Sequence, residues 1–161
     1  MKNKFIISIL AVFIIAGCLA AVYAETAQIN SFDFDVPNGF KVSDSSSSKV
    51  VLNSTSKDII VTTDIVDQSS ITSYMQAKGF TYTTSIVGNS TVTSASDSSA
   101  PGTYSYVGYT YKKGTQEATA FVINKDGVDI AVIVINRSPT SSGMIMDTDA
   151  SSIMSDIMLG K

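Results

Sequence analysis

The hydrophobic and polar positions of the chain follow two periods, and the order of those periods outlines the fold. "INSFDFDVPNGF" (29–40) repeats every second residue. Phe32, Phe34 and Val36 share one side, Asp33 and Asp35 the other, and Pro37-Asn38-Gly39 closes the run with a turn. "KVVLNS" (49–54) and "DIIVTTDIV" (58–66) continue as strands, joined in a hairpin near residues 54–57. The period then changes. Ile71, Tyr74, Met75 and Lys78 lie at i, i+3, i+4 and i+7, which predicts a short amphipathic helix with Ser69 or Ser70 as N-cap and Gly79 just beyond its end. "FTYTTSIV" (80–87) and "STVTSA" (90–95) return to strand, with a turn predicted at Gly88-Asn89.

After a Ser-rich loop, three strands are predicted at 103–112, 116–124 and 128–136. "KKG" and "NKDG" supply the turns, and Gly127 is free to take positive φ. "VDIAVIVIN" is the most apolar of the three and is placed at the centre of the sheet, covered on both faces. A second helix follows from Ala150, Ile153, Met154, Ile157 and Met158, which form one apolar stripe with Asp147 or Asp149 at its start and Gly160 at its end. No repeat or long linker divides the chain. The expectation is an α+β domain over residues 25–161: a single antiparallel sheet of about six to eight strands with two short helices packed on one face.

Residues 1–24 precede that domain as a signal peptide or membrane anchor helix. Lys2 and Lys4 lead into an apolar run from Phe5 to Leu19 broken only by Ser8, and Glu25 is the first acid. Cys18, the only cysteine, sits behind Ile15-Ala16-Gly17 in the pattern of a lipidation box, while Val22-Tyr23-Ala24 reads as a signal-peptidase site. Three readings stay open: cleavage after Ala24, lipidation at Cys18, or a retained anchor, since Phe5 to Ala24 matches the roughly 20 residues a spanning helix needs. All three put the domain in an extracytoplasmic place, secreted or tethered to the outer face of the cytoplasmic membrane. Membrane contact is then confined to residues 1–24, and the intact mass of the native protein separates the three.

Charge and composition narrow the chemistry. Without Lys2 and Lys4 the chain has 9 basic against 14 acidic residues, a net charge of −5. Such a surface does not suit nucleic acid or anionic lipid. There is no histidine, and no cysteine after Cys18. Ser–His and Cys–His nucleophiles are therefore excluded, as are thiolate and imidazole metal sites. Forty of residues 25–161 are Ser or Thr, so no serine stands out as the nucleophile of a Ser–Lys pair. The close acid pairs Asp33/Asp35, Asp126/Asp129 and Asp147/Asp149 are the type of group that grips Ca²⁺ or divides acid and base roles, but no EF-hand loop surrounds them. Met144, Met146, Met154 and Met158 are soft ligands in principle; Met154 and Met158 follow the helical stripe, where Met is a core filler. No cofactor, catalytic residue or metal site is assigned.

Tyr104, Tyr106, Tyr109 and Tyr111 crowd one strand. Alternation puts Tyr104 and Tyr106 on one face and Tyr109 and Tyr111 on the other, unless Gly108 marks a bulge. Aromatics on both faces make this strand the candidate binding surface. Asn53, Asn89 and Asn136 each begin an N-x-S/T glycosylation acceptor, the first two in predicted turns, and Pro139 follows the third.

The order of elements resembles the PsbP-like α+β domain family. The resemblance is carried by "VPNGF", by a helix ending "YMQAKGF", by a meander ending "DGVDIAVIVIN" and by the closing "DASSIMSDIML" helix, and it spans residues 29–160. Members occur as photosystem extrinsic subunits, as a Ran-binding relative and as exported prokaryotic proteins. The resemblance implies a fold and a habit of binding proteins or small ligands, with no shared catalytic set. The expected function is an exported, non-catalytic cell-surface or envelope domain that binds an envelope protein or small ligand. The alternatives are a carboxylate-dependent envelope enzyme and a structural glycosylated surface protein.

Overall fold

The computed structural model describes residues 25–92, 102–138 and 146–160. The strands are β1 (Thr26–Ile29), β2 (Phe32–Asp35), β3 (Lys41–Ser45), β4 (Lys49–Asn53), β5 (Lys57–Thr62), β6 (Thr81–Val92), β7 (Gly102–Lys113), β8 (Gln116–Lys125) and β9 (Val128–Asn136). The helices are α1 (Gln68–Ala77), between β5 and β6, and α2 (Thr148–Leu159), after β9. Strands β3 to β9 form one seven-stranded sheet in the order β3-β4-β5-β9-β8-β7-β6, and β1 and β2 pair only with each other. Every pairing is antiparallel.

The α+β class and the antiparallel pairing agree with the sequence, and β9 takes the central position expected of its apolar run, but the strands form two sheets rather than one, because β1 and β2 pair only with each other. Placing both helices on one face was wrong. Ile59, Val61, Phe121, Ile123, Ile130, Val132 and Val134 face α2 and the β1–β2 hairpin, whereas Ile60, Ala118, Ala120, Ala131 and Ile133 face α1. Adjacent residues of β5 and β9 thus enter different cores, as the period of two requires. A central strand apolar at both parities needs cover on both sides, so each helix takes one.

The α2 side is the larger core. The two strands of the hairpin turn Ala27, Ile29, Phe32 and Phe34 inward, and α2 answers with Ala150, Ile153, Met154 and Ile157. Asp147 caps α2, its carboxylate accepting from the N–H groups of Asp149 and Ala150, and Gly160 ends it with φ +70°. The buried Asp156 fixes the helix to the hairpin by accepting the Asp35 N–H at 3.0 Å. On the other side, small alanines of β8 and β9 let α1 approach the sheet. Ile71 and Met75 are fully buried there, and Thr72 Oγ1 lies 3.1 Å from the Tyr111 phenol oxygen. The N-cap of α1 is Asp67 rather than Ser69 or Ser70. Its side chain accepts from both of their N–H groups and from the Ser69 hydroxyl, which first among these holds the carboxyl well below the usual carboxylate range.

Two local expectations needed revision, and one segment gained an element. The run at 29–36 is two strands, because Asn30 takes φ 56° and its N–H bonds to Ser47 O, folding the run into a hairpin. The polar segment 41–45, to which the sequence pattern assigned no element, is a strand, β3, carried by pairing with β4. Gly88-Asn89 is no turn: β6 runs straight through it for 12 residues, with Gly88 opposite Tyr106. The Tyr106 ring lies over Gly88, where a Cβ would press on its Cζ and Oη, and its edge meets Phe121 with centroids 5.7 Å apart. Glycine here makes room for a cross-strand aromatic. Gly88→Ala is expected to cost about 1–2 kcal/mol by overpacking. In a Tyr106→Ala background that cost should vanish in denaturant melts, whereas an unchanged cost would locate it elsewhere.

Candidate functional site

The outer strands β6 and β7 carry the candidate interaction surface. β7 pairs with β6 from Gly102 to Lys112 but with β8 only from Val107 to Lys113, so residues 102–106 are held by β6 alone. On the α1 side of the sheet, register aligns Val87 with Val107, Val107 with Val122 and Val122 with Ala131. Along that row Ala131 is buried, Val122 and Val107 are half-buried, and Val87 is 78% exposed. The ten residues of α1 cover Ala118, Ala120, Ala131 and Ile133 and leave the end of the row open. Val87 and Leu159 are the exposed large hydrophobic residues among those described. The row thus ends in one exposed valine, with the half-buried Tyr109 beside it.

The four tyrosines keep the alternation read from the sequence, since pairing is unbroken from Thr84–Thr110 to Val92–Gly102 and Gly108 marks no bulge. Their roles differ. Tyr104 is buried in the α2 core, and its hydroxyl has no hydrogen-bond partner among the described residues. Tyr106 is half-buried against Phe121. Tyr111 is fully buried between Thr72 and the edge-on Tyr82, and burial pushes its phenol up. Tyr109 alone flanks the open valine row, two residues from Val107 on the α1 side. Tyr104 and Tyr111 are core residues, so the four do not form one surface. Val87, Val107 and Val122 were missed because a strand's exposure depends on how far the neighbouring helix reaches.

Several of the described carboxylates are paired, and those nearest the core tie elements together. Lys57, at the start of β5, places Nζ 2.8 Å from Asp147 and 2.7 Å from Asp149, which ties the sheet to the N-terminus of α2. Arg137 pairs with Asp58 through Nε and Nη2, Lys49 with Asp44, and Lys112 with Glu117. Asp33 accepts from Gln28 and Asp129 from Asn124, and Asp126 lies in the β8–β9 turn, 3.4 Å from Lys125. Among the described residues no group of three or more Asp, Glu, His or Cys is arranged to hold a metal ion. Met154 is buried in the α2 core and Met146 and Met158 pack against it; Met144 lies outside the described residues.

The remaining candidates are spread over the molecule. Asn53 ends β4, half-buried, with its Oδ1 accepting from Ser43 Oγ at 2.5 Å. Asn89 lies inside β6 rather than in a turn, is exposed, and accepts from Ser105 Oγ at 2.8 Å. Asn136 closes β9. Cys18, Ala24 and the whole of residues 1–24 lie outside the described residues. A polar cleft of about 410 Å³ lies between β1 and the β3–β4 turn, lined by Glu25, Gln28, Asn30 and Ser45 to Ser47. It gathers one carboxylate and no opposing charge. Among the described residues no helix is long and apolar enough to cross a membrane. No protein-family model, curated protein or solved structure matches the chain.

Burial is the largest influence on Lys57 and lowers its pKa. The hydrogen bonds and charges of Asp147 and Asp149 together outweigh it, and the ammonium ends above its ordinary range. A raised lysine contributes stability that is complete below about pH 10.4 and is lost as pH rises through the folded value. Lys57→Met should cost about 1–3 kcal/mol at neutral pH and flatten the alkaline limb of melting temperature against pH. An alkaline limb identical to wild type would sever the link between Lys57 and α2.

Proposed function

We propose that the chain is an exported, non-catalytic domain that docks a protein partner on the open end of its α1 face, along β6 and β7. The observation that carries this reading is the register-matched row Val122–Val107–Val87, which runs from half-buried to 78% exposed beside Tyr109. Tyr109 supplies the aromatic anchor that contacts favour, and the valines supply apolar area around it. The signal-like segment 1–24 supports a place outside the cytoplasmic membrane. The resemblance to PsbP-like domains supports a binding role over a catalytic one, and the structural pairing of Asp147, Asp149 and Asp58 leaves those acids occupied.

A photo-crosslinking residue at Val87, introduced into the chain in its native host, tests this reading. It should give discrete adducts that the same residue at Thr55, in the β4–β5 turn, does not give. Tyr109→Ala should reduce the Val87 adducts by about tenfold while the chain stays folded by circular dichroism. Equal adducts from the two positions would remove the surface from consideration.

A further inference from the structure

The outer edge of β6 identifies what that surface takes, and the inference rests on the docking reading just given. The sheet has two edges, and they differ. β3 is 5 residues long, carries Lys41 and Asp44, and is broken by a register shift between Val42 and Asp44. Shortness, charge and a bulge are the features that keep an edge strand from pairing with another chain. β6 is 12 residues long and has no charged residue and no proline; its one register shift, between Tyr82 and Thr84, leaves 84–92 uninterrupted. Thr, Val and Ile make up much of that stretch, residues that favour extended pairing. No described strand pairs with its outer side.

We propose that β6 pairs antiparallel with β6 of a second copy of this chain, about a two-fold axis perpendicular to the sheet, joining two seven-stranded sheets into one of fourteen strands. The choice of a second copy follows from charge and register. In a chain with 14 acids against 11 basic residues, pairing two copies sets like charges opposite one another wherever the paired strand carries charge, and β6 is a strand along which no charge meets its own image. With the axis at Val87, Ile86 stands opposite the second copy's Gly88, Ser85 opposite its Asn89 and Thr84 opposite its Ser90. The two α1 faces then lie on the same side. The row Val122–Val107–Val87 continues into the second copy's Val87, Val107 and Val122, and the 78% exposed Val87 is covered by its own counterpart.

The test is sedimentation of the exported chain, purified in the form the cell retains, as wild type, Val87→Lys and Val87→Glu. Wild type should sediment as a dimer. Val87→Lys, at an exposed position, should keep the wild-type circular-dichroism spectrum and weaken self-association by at least about tenfold, because two ammonium groups then face each other across the axis. Mixing the Lys and Glu variants should restore a dimer that high salt dissolves. A wild-type monomer overturns the inference, and so does a dimer indifferent to Val87→Lys, which would place the contact in another part of the chain. The mass of the crosslinked adduct separates this inference from the broader reading. Adducts of twice the chain mass support self-pairing. Discrete adducts of another mass, with a monomeric wild type, leave a docking surface and refute the second copy. Adducts no different from those at Thr55 end both.

Discussion

The fold depends on the need to bury β9 on both faces. Ile130, Val132 and Val134 point one way and Ala131 and Ile133 the other, all of them inaccessible to solvent or nearly so. Its backbone groups are spent on β5 and β8, so the strand fits only inside a sheet. Each large aliphatic side chain buried there contributes about 1.5–3 kcal/mol, which is forfeited unless a layer closes over it. The β1–β2 hairpin with α2 closes one side and α1 closes the other. The cross-ties serve the same end: Lys57 holds the start of α2 to the sheet, and Asp156 holds its last turns to the hairpin.

The two layers are unequal, and the candidate site is a consequence of that inequality. The α2 side has a hairpin and a 12-residue helix over large residues such as Phe121 and Ile123. The α1 side has ten helical residues, seated on alanines, with Phe80 and Tyr111 filling around them. A helix rises 1.5 Å per residue, so α1 is only about 15 Å long and does not extend over the outermost valines. The same strands form the edge of the sheet. An open apolar row and an uncharged edge thus coincide at Val87, and this coincidence gives the surface its case as a place of association.

Much of the architecture was legible in local pattern. The β7–β8–β9 meander, the turns between its strands, α2 with Asp147 and Gly160 at its ends, and the central place of β9 follow from periodicities long enough to be unambiguous. The misreadings share one origin, a local signal outweighed by a distant contact. Gly88-Asn89 has the composition of a turn, yet Tyr106 uses the missing side chain as its seat and the strand continues. β3, with no apolar period, was given no element by the pattern and is a strand because β4 supplies its partners. At 29–36 the alternation was real, but Asn30 in the left-handed region folds it in two, so that Ile29 and Phe32 enter the core side by side.

The tyrosines divide the two kinds of information most clearly. Period two by itself determined that Tyr104 and Tyr106 face away from Tyr109 and Tyr111, because side chains alternate along any strand whatever surrounds it. Which of them meets solvent was decided by the layers above: Tyr104 beneath the α2 core, Tyr111 beneath α1, Tyr109 at the margin where α1 ends. In the same way, sequence alone determined the class of fold, the absence of imidazole chemistry and the apolar character of β9, since these are properties of residue type and spacing. Only the tertiary structure decided which face each helix covers and that β6, rather than β7, carries the exposed valine. Burial belongs to pairs of elements, and no single stretch of chain specifies how far its neighbour will reach.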